Sequence, residues 1–197
     1  YGVLDAFAQR FPSRFFNVGI SEQAMASVAA GIALEGNIVL TYSIANFNTL
    51  RCLEQIRNDI CYHKANVIIL SVGSGFSYGQ LGMSHHSTED IAIMRALPQM
   101  RVYVPCDPEE AVAALHDAVA NTGPCYIRLA KRGEPKLYEK PVNYEITQLQ
   151  ELISGNDVCM LGCGPLLDEA LKVAELLRTK NISSGVYSVP CIKPLDT

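Results

Sequence analysis

Short β-branched runs alternate with longer helical stretches along nearly the whole chain, and this alternation restricts the fold more than any other feature. Phe15-Phe16-Asn17-Val18 reads as a strand, followed by a helix over about 21–35 that ends at Gly36. Ala24, Ala26, Ala29, Ala30, Gly31 and Ala33 give that helix a small-residue surface suited to close packing. Further strands are expected at 38–42, 66–72, 102–104 and 125–129, with helices over about 47–63, 87–96 and 108–121 between them. Strands separated by helices imply right-handed crossovers and a parallel sheet covered on both faces. Ligands of such sheets bind beyond the carboxyl ends of the strands. The segments 19–22, 43–47 and 73–86 are therefore expected to converge on one edge.

Beyond residue 130 the pattern pauses. Residues 131–143 are charged and contain Gly133, Pro135 and Pro141, which reads as a linker between a first domain over 1–130 and a second over 144–197. The second unit shows a strand at 158–161, a turn at Gly162-Cys163-Gly164, a helix over 165–180 and a strand at 185–189. A chain of 197 residues, 49% hydrophobic, suits one full domain plus part of another. Both ends read as cuts in a longer chain: Tyr1 begins mid-helix, and Thr197 follows Lys-Pro-Leu-Asp abruptly.

A net charge of -4 without a Lys/Arg cluster argues against a nucleic-acid partner. Apolar runs such as 65–72 are too short to span a bilayer, so no membrane partner is expected. The seven cysteines (Cys52, Cys61, Cys106, Cys125, Cys159, Cys163, Cys191) form no C-x-x-C pair. They read as reduced core thiols of a cytoplasmic protein.

Three constellations carry possible chemistry. In Asn17-Val-Gly-Ile-Ser-Glu-Gln-Ala24, Gly19 permits a tight turn and Ser21 is placed to cap a helix. Glu22 then projects from the first helical turn, where on spacing alone its simpler role is to complement the helix dipole. In the second, Tyr42 to Arg57, Phe47 is placed to pack inside an amphipathic core helix. In the third, Gly79-Gln-Leu-Gly-Met-Ser-His-His-Ser-Thr-Glu-Asp90, Ser87 and Asp90 have capping-box spacing and hold two histidines beside a helix start. A metal-binding histidine pair is disfavoured because no second ligand cluster has suitable spacing. Gly162-x-Gly164 lacks the third glycine of a dinucleotide fingerprint, Leu167 standing there, so it reads as a plain turn. Cys61-x-His63 reads as structural.

Taken in order, these segments resemble the transketolase and deoxyxylulose-phosphate synthase family, in particular its pyrimidine-binding domain. The resemblance rests on Arg14-Phe-Phe-Asn-Val-Gly-Ile-Ser-Glu-Gln-Ala24, Leu53-Glu-Gln-Ile-Arg-Asn58, Met83-Ser-His-His-Ser87 and Gly123-Pro-Cys-Tyr-Ile-Arg-Leu129. The stretch 157–196, closing on Lys-Pro-Leu-Asp, is similar to the start of the family's C-terminal domain. The resemblance implies an α/β fold: a parallel-sheet pyrimidine-binding thiamine-diphosphate domain followed by part of an α/β transketolase C-terminal domain. It makes Glu22 the glutamate that contacts the aminopyrimidine of thiamine diphosphate and activates the cofactor. Phe47 becomes the stacking ring, although direct spacing puts the family's aromatic on Asn48. Ile20 and Ser43 border the cofactor. His85 becomes the active-site histidine, with His86 and Gln80 beside the substrate channel. Leu81 stands where transketolases carry an aspartate that reads a sugar hydroxyl, which points to a different substrate.

The family's Gly-Asp-Gly motif, which supplies Mg2+ ligands in the diphosphate-binding half, is absent from the sequence. The resemblance therefore implies a split transketolase: this chain is the smaller subunit, and a diphosphate-binding partner subunit joins it in an α2β2 heterotetramer. The implied reaction moves a two-carbon ketol unit from a ketose donor to an aldehyde acceptor, with a sugar or sugar phosphate as substrate. Two other readings compete. One is the beta subunit of a 2-oxo-acid dehydrogenase, disfavoured by Ile91-Ala-Ile-Met-Arg-Ala-Leu-Pro98 and the Lys-Pro-Leu-Asp ending. The other is a non-catalytic α/β binding module.

Overall fold

A computed structural model describes residues 2–131, 133 and 135–196. Its strands are, in chain order, β1 (Val39–Ile44), β2 (Val67–Val72), β3 (Arg101–Tyr103), β4 (Cys125–Leu129), β5 (Gln150–Ile153), β6 (Val158–Gly162), β7 (Ser184–Ser188) and β8 (Cys191–Lys193). Its α-helices are α1 (Asp5–Arg10), α2 (Glu22–Leu34), α3 (Leu53–Gln55), α4 (Asp90–Ala96), α5 (Pro108–Ala120) and α6 (Leu166–Arg178). The first sheet has the order β1-β2-β4-β3-β8, and a second has the order β5-β7-β6. The pairs β1/β2, β2/β4 and β3/β4 are parallel, as the strand–helix alternation requires.

The central strands are apolar on both faces, which forces cover on each side. Val67, Ile69, Val102 and Tyr126 point to one face, where the small residues Ala26, Ala29, Ala30 and Ala33 of α2 let that helix pack closely. The alternate residues Ile68, Tyr103, Cys125 and Ile127 point to the other face and meet Ala114 and Ala118 of α5. Asp107 caps α5 by accepting from the Glu110 backbone N–H at 3.0 Å, and Pro108 follows at the first helical position.

Several expectations are corrected. Residues 15–18 are not a strand: they run without regular structure into α2, and Phe16 is exposed because no neighbouring strand offers a ladder. Ser21 precedes α2 but its side chain makes no capping bond. The long helix expected over 47–63 divides into a 3-10 turn (Leu50–Cys52), α3 and a π-helical stretch (Ile56–Cys61). There Ala65 and Tyr62 donate to the carbonyls of Ile60 and Arg57 five residues back, a widening that proteins often place at functional sites. The Ser87/Asp90 capping box does not form, because Asp90 turns its carboxylate to stronger charge-assisted partners described below. Cys159 is exposed and Cys163 half-buried, so not every cysteine is a core thiol. All seven are free.

Two elements were not expected. β5 pairs antiparallel with β7, and β8 returns from the second unit to pair antiparallel with β3 of the first sheet. The Lys193 ammonium donates to the carbonyls of Arg95 and Leu97 at the end of α4, a favourable place for a cation. The Gly162-Cys163-Gly164 turn serves packing. A Cβ on Gly162 would lie 2.8 Å from Leu167, and the Gly164 N–H donates to the Val104 carbonyl at 2.9 Å.

The stretch around 131–143 is clasped to the fold by two buried carboxylates. Asp107 accepts from the backbone N–H groups of Leu137 and Tyr138 at 3.0 and 2.9 Å. Glu110, 0% exposed, accepts from the Cys106 N–H, the hydroxyls of Tyr138 and Tyr144, and the Ser188 hydroxyl at the end of β7. Burial, then the Glu110 charge, pushes the Tyr144 phenol well above its usual range, so it remains a donor. Glu110→Ala would remove the acceptor of four donors at once, two of them buried (the Cys106 N–H and the Ser188 hydroxyl) and two on half-buried tyrosines. It is expected to lower the unfolding free energy by about 3 kcal/mol or more, read as a drop in the urea midpoint with an unchanged slope.

Candidate active site

The loops that leave the carboxyl ends of β1 and β2 lie side by side because those strands are parallel neighbours. The start of α2 reaches the same edge through Glu22. Although it opens a helix, Glu22 is only 7% exposed. The Ser43 hydroxyl at the end of β1 donates to its Oε1 at 3.5 Å, and Arg51 Nη1 donates to its Oε2 at 2.9 Å. The same guanidinium lies over the Phe47 ring, 4.3 Å from its centroid. Phe47 in turn meets the His85 ring edge-on at 5.2 Å. Glu22, Arg51, Phe47 and His85 thus form a continuous chain of contacts across the sheet edge.

The histidine loop is tethered at several points. The Asn46 side-chain amide donates to the Ser84 carbonyl at 2.8 Å, joining the β1 loop to it. Ser84 Oγ lies 2.9 Å from His85 Nδ1, which leaves Nε2 for other partners. His86 Nε2 lies 2.9 Å from the Gly79 carbonyl and is held there as a donor, since a carbonyl only accepts. Gly75 and Ser87 exchange backbone hydrogen bonds of 2.9 Å, closing the loop at its base. Beneath that closure Arg128 donates to Asp90 at 2.7 Å and to the Ser87 carbonyl at 2.9 Å, and the Tyr126 hydroxyl donates to Asp90 at 2.6 Å.

Of the residues singled out from sequence, Glu22, Ser43, Phe47 and His85 are brought together. Ile20 is 90% exposed. Gln80 and Leu81 line a cleft of about 350 Å³ with Ser77, Tyr78, Gly79 and Lys131, and Leu81 is 51% exposed. Asn48, the alternative to Phe47, is buried and donates to the Leu70 carbonyl at 3.0 Å. Sequence reasoning missed Arg51, whose signal was its spacing four residues after Phe47 in the helix expected over 47–63. It also missed Tyr78, 6.0 Å from His85. Cys52 is no nucleophile: burial, then the Glu22 charge, pushes its thiol up to about 12. Among the described residues no three His, Cys, Asp or Glu side chains gather as a metal site. Nor is any helix among them long and apolar enough to cross a membrane.

The chain is an α/β protein whose parallel sheet carries a buried carboxylate, an aromatic face and a histidine to the edge where ligands of such sheets bind. The transketolase pyrimidine-binding domain matches residues 3–135, and the transketolase C-terminal domain matches residues 148–197. The chain belongs to the transketolase family. It is 38% identical over 192 residues to a putative transketolase C-terminal section from Methanocaldococcus jannaschii, covering 96% of this chain and 61% of the relative. It is 35% identical over 191 residues to one subunit of an apulose-4-phosphate transketolase from Actinobacillus succinogenes, covering 97% of this chain and 61% of that one. A split-gene transketolase solved as an inactive beta4 tetramer superimposes with a TM-score of 0.88 at 38% identity, over 96% of this chain and 61% of that structure. The chain therefore spans about three-fifths of the length of these relatives.

Proposed function

We propose that the chain is the pyrimidine-binding part of a split, thiamine-diphosphate-dependent transketolase that moves a two-carbon ketol unit from a ketose donor to an aldehyde acceptor. The observation that carries this reading is the Glu22 carboxylate, buried at the first turn of α2 and linked through Arg51 and Phe47 to His85. The residues present fit the cofactor. A guanidinium, itself a planar array of donors, already rests between the Glu22 carboxylate and the Phe47 ring. Those two surfaces suit a planar heterocycle with a ring nitrogen to offer, which would take the place that Arg51 holds.

Thiamine diphosphate, when bound, supplies the electron sink for breaking and forming the carbon–carbon bond. With it bound, Glu22 would share a proton with the ring nitrogen of the aminopyrimidine, Phe47 would offer that ring a stacking face, and Ser43 would keep the Glu22 carboxyl in place. His85 presents Nε2 to a hydroxyl or carbonyl of the substrate for hydrogen bonding or proton transfer. His86 stiffens the loop through Gly79. Gln80 and Leu81 face the substrate channel, and the apolar Leu81 favours a substrate that offers no hydroxyl there.

The Mg2+ ligands belong to a diphosphate-binding partner subunit, the assembly is an α2β2 heterotetramer, and the compartment is the cytoplasm. One relative is described as a C-terminal section and another as a single subunit of its transketolase, which supports a divided enzyme. The inactivity of one relative's beta4 tetramer is in keeping with a need for the second subunit. A donor test decides the chemistry. The complex should consume a ketose phosphate in the presence of an aldehyde acceptor. Consumption of an oxo acid with lipoyl protein, and of no ketose, would assign it to the 2-oxo-acid dehydrogenases instead.

A further inference from the structure

We propose that Tyr78 is a positioning residue that clamps the His85 imidazole against Phe47, and that position 73 is glycine so that the Tyr78 ring can reach its seat. The proposal rests on the transketolase reading only for what His85 does, not for how it is held.

β2 ends at Val72, and the next two backbone N–H groups, of Gly73 and Ser74, both donate to the Leu129 carbonyl at 3.1 and 3.2 Å. The backbone is therefore fixed where Gly73 turns, at φ +91°. A Cβ at Gly73 would lie 2.1 and 2.4 Å from two carbons of the Tyr78 ring, so the ring lies directly on the glycine backbone. Any side chain at position 73 would expel it. From that seat Tyr78 meets His85 at 6.0 Å with an interplanar angle of 73°, while Phe47 meets His85 at 5.2 Å and 67°. Both are edge-on geometries that aromatic pairs favour.

Ser84 on Nδ1 restrains rotation of the imidazole within its plane, and the two aromatic rings restrain its tilt. Lys131 Nζ, 5.6 Å from the Tyr78 ring centroid, adds a cation–π contact. Three independent restraints on one imidazole exceed what a solvated loop histidine needs, but they suit one whose Nε2 must meet a reacting group within a fraction of an ångström.

The test combines His ring resonances with kinetics, in the full-length protein assembled with its partner subunit. The chain has four histidines, and His85→Gln assigns the resonance of interest. Tyr78→Ala is expected to shift or broaden the His85 signal and to leave those of His63 and His116 in place. It should lower kcat about tenfold with the donor KM within about twofold. Tyr78→Phe, which keeps the ring, should restore both. Gly73→Ala should reproduce the Tyr78→Ala spectrum from the other side of the contact. The Ala/Phe pair decides the matter even if Gly73→Ala fails to fold. An unchanged His85 signal and kcat in Tyr78→Ala, or a Tyr78→Phe variant that behaves like Tyr78→Ala, would overturn the clamp. The resonance is read without turnover, so an error in the transketolase reading shows separately, as absent wild-type ketol transfer.

Discussion

Glu22→Gln is expected to lower kcat of the reconstituted enzyme by about 10³-fold or more while leaving the complex assembled. The amide keeps the shape of the side chain, and its oxygen can still accept from Arg51, whose Nη1 now lies 2.9 Å from the carboxylate. It loses the carboxyl that, in the proposed function, shares a proton with the aminopyrimidine. The substitution therefore separates chemistry from packing. Size-exclusion mass analysis should show the wild-type assembly, with turnover lost. Wild-type kcat in this variant would remove Glu22 from the mechanism and favour a non-catalytic binding module.

Asp90→Ala should produce the largest loss of stability at the site. Asp90 is 1% exposed and accepts from Arg128 and from Tyr126, both rooted in β4. Burial, then the Asp90 charge, pushes the Tyr126 phenol well above its usual range, so that hydroxyl stays a donor. Truncation leaves a poorly exposed guanidinium and a buried hydroxyl without their acceptor. Breaking such a pair from one side costs about 3–5 kcal/mol. The damage should extend to function, because Arg128 also holds the Ser87 carbonyl at the base of the histidine loop. Chemical denaturation would show the loss, and hydrogen exchange should localise faster opening to residues 73–90. A midpoint within experimental error of wild type would show that this network does not hold the loop.

The parallel first sheet and the helices behind it were legible because their signals are local. Short β-branched apolar runs such as Val67-Ile-Ile-Leu70, followed by Gly73, read as buried strands, and Asp107-Pro108 announces a helix start. The site residues came from the family resemblance and not from local pattern, which alone gave Glu22 to the helix dipole and Phe47 to a core helix. What escaped notice depends on distant partners. β8 is three residues long and gains its place only by pairing with β3. Ser87 and Asp90 have the spacing of a capping box, yet the Arg128 guanidinium, 38 positions after Asp90, competes for the carboxylate and wins. Phe15-Phe16-Asn17-Val18 has strand composition, but composition cannot supply a neighbour to pair with. Nothing local in the sequence marks Tyr78, whose ring finds its seat on the Gly73 backbone five residues earlier.

The most direct test of the divided active site is a titration of thiamine diphosphate, with Mg2+ present, into the full-length protein alone, into its diphosphate-binding partner alone, and into the two co-expressed. Saturable tight binding is predicted for the mixed complex only, with mass analysis showing two copies of each subunit. Tight binding by this protein alone, or no binding by the mixture, would contradict the account.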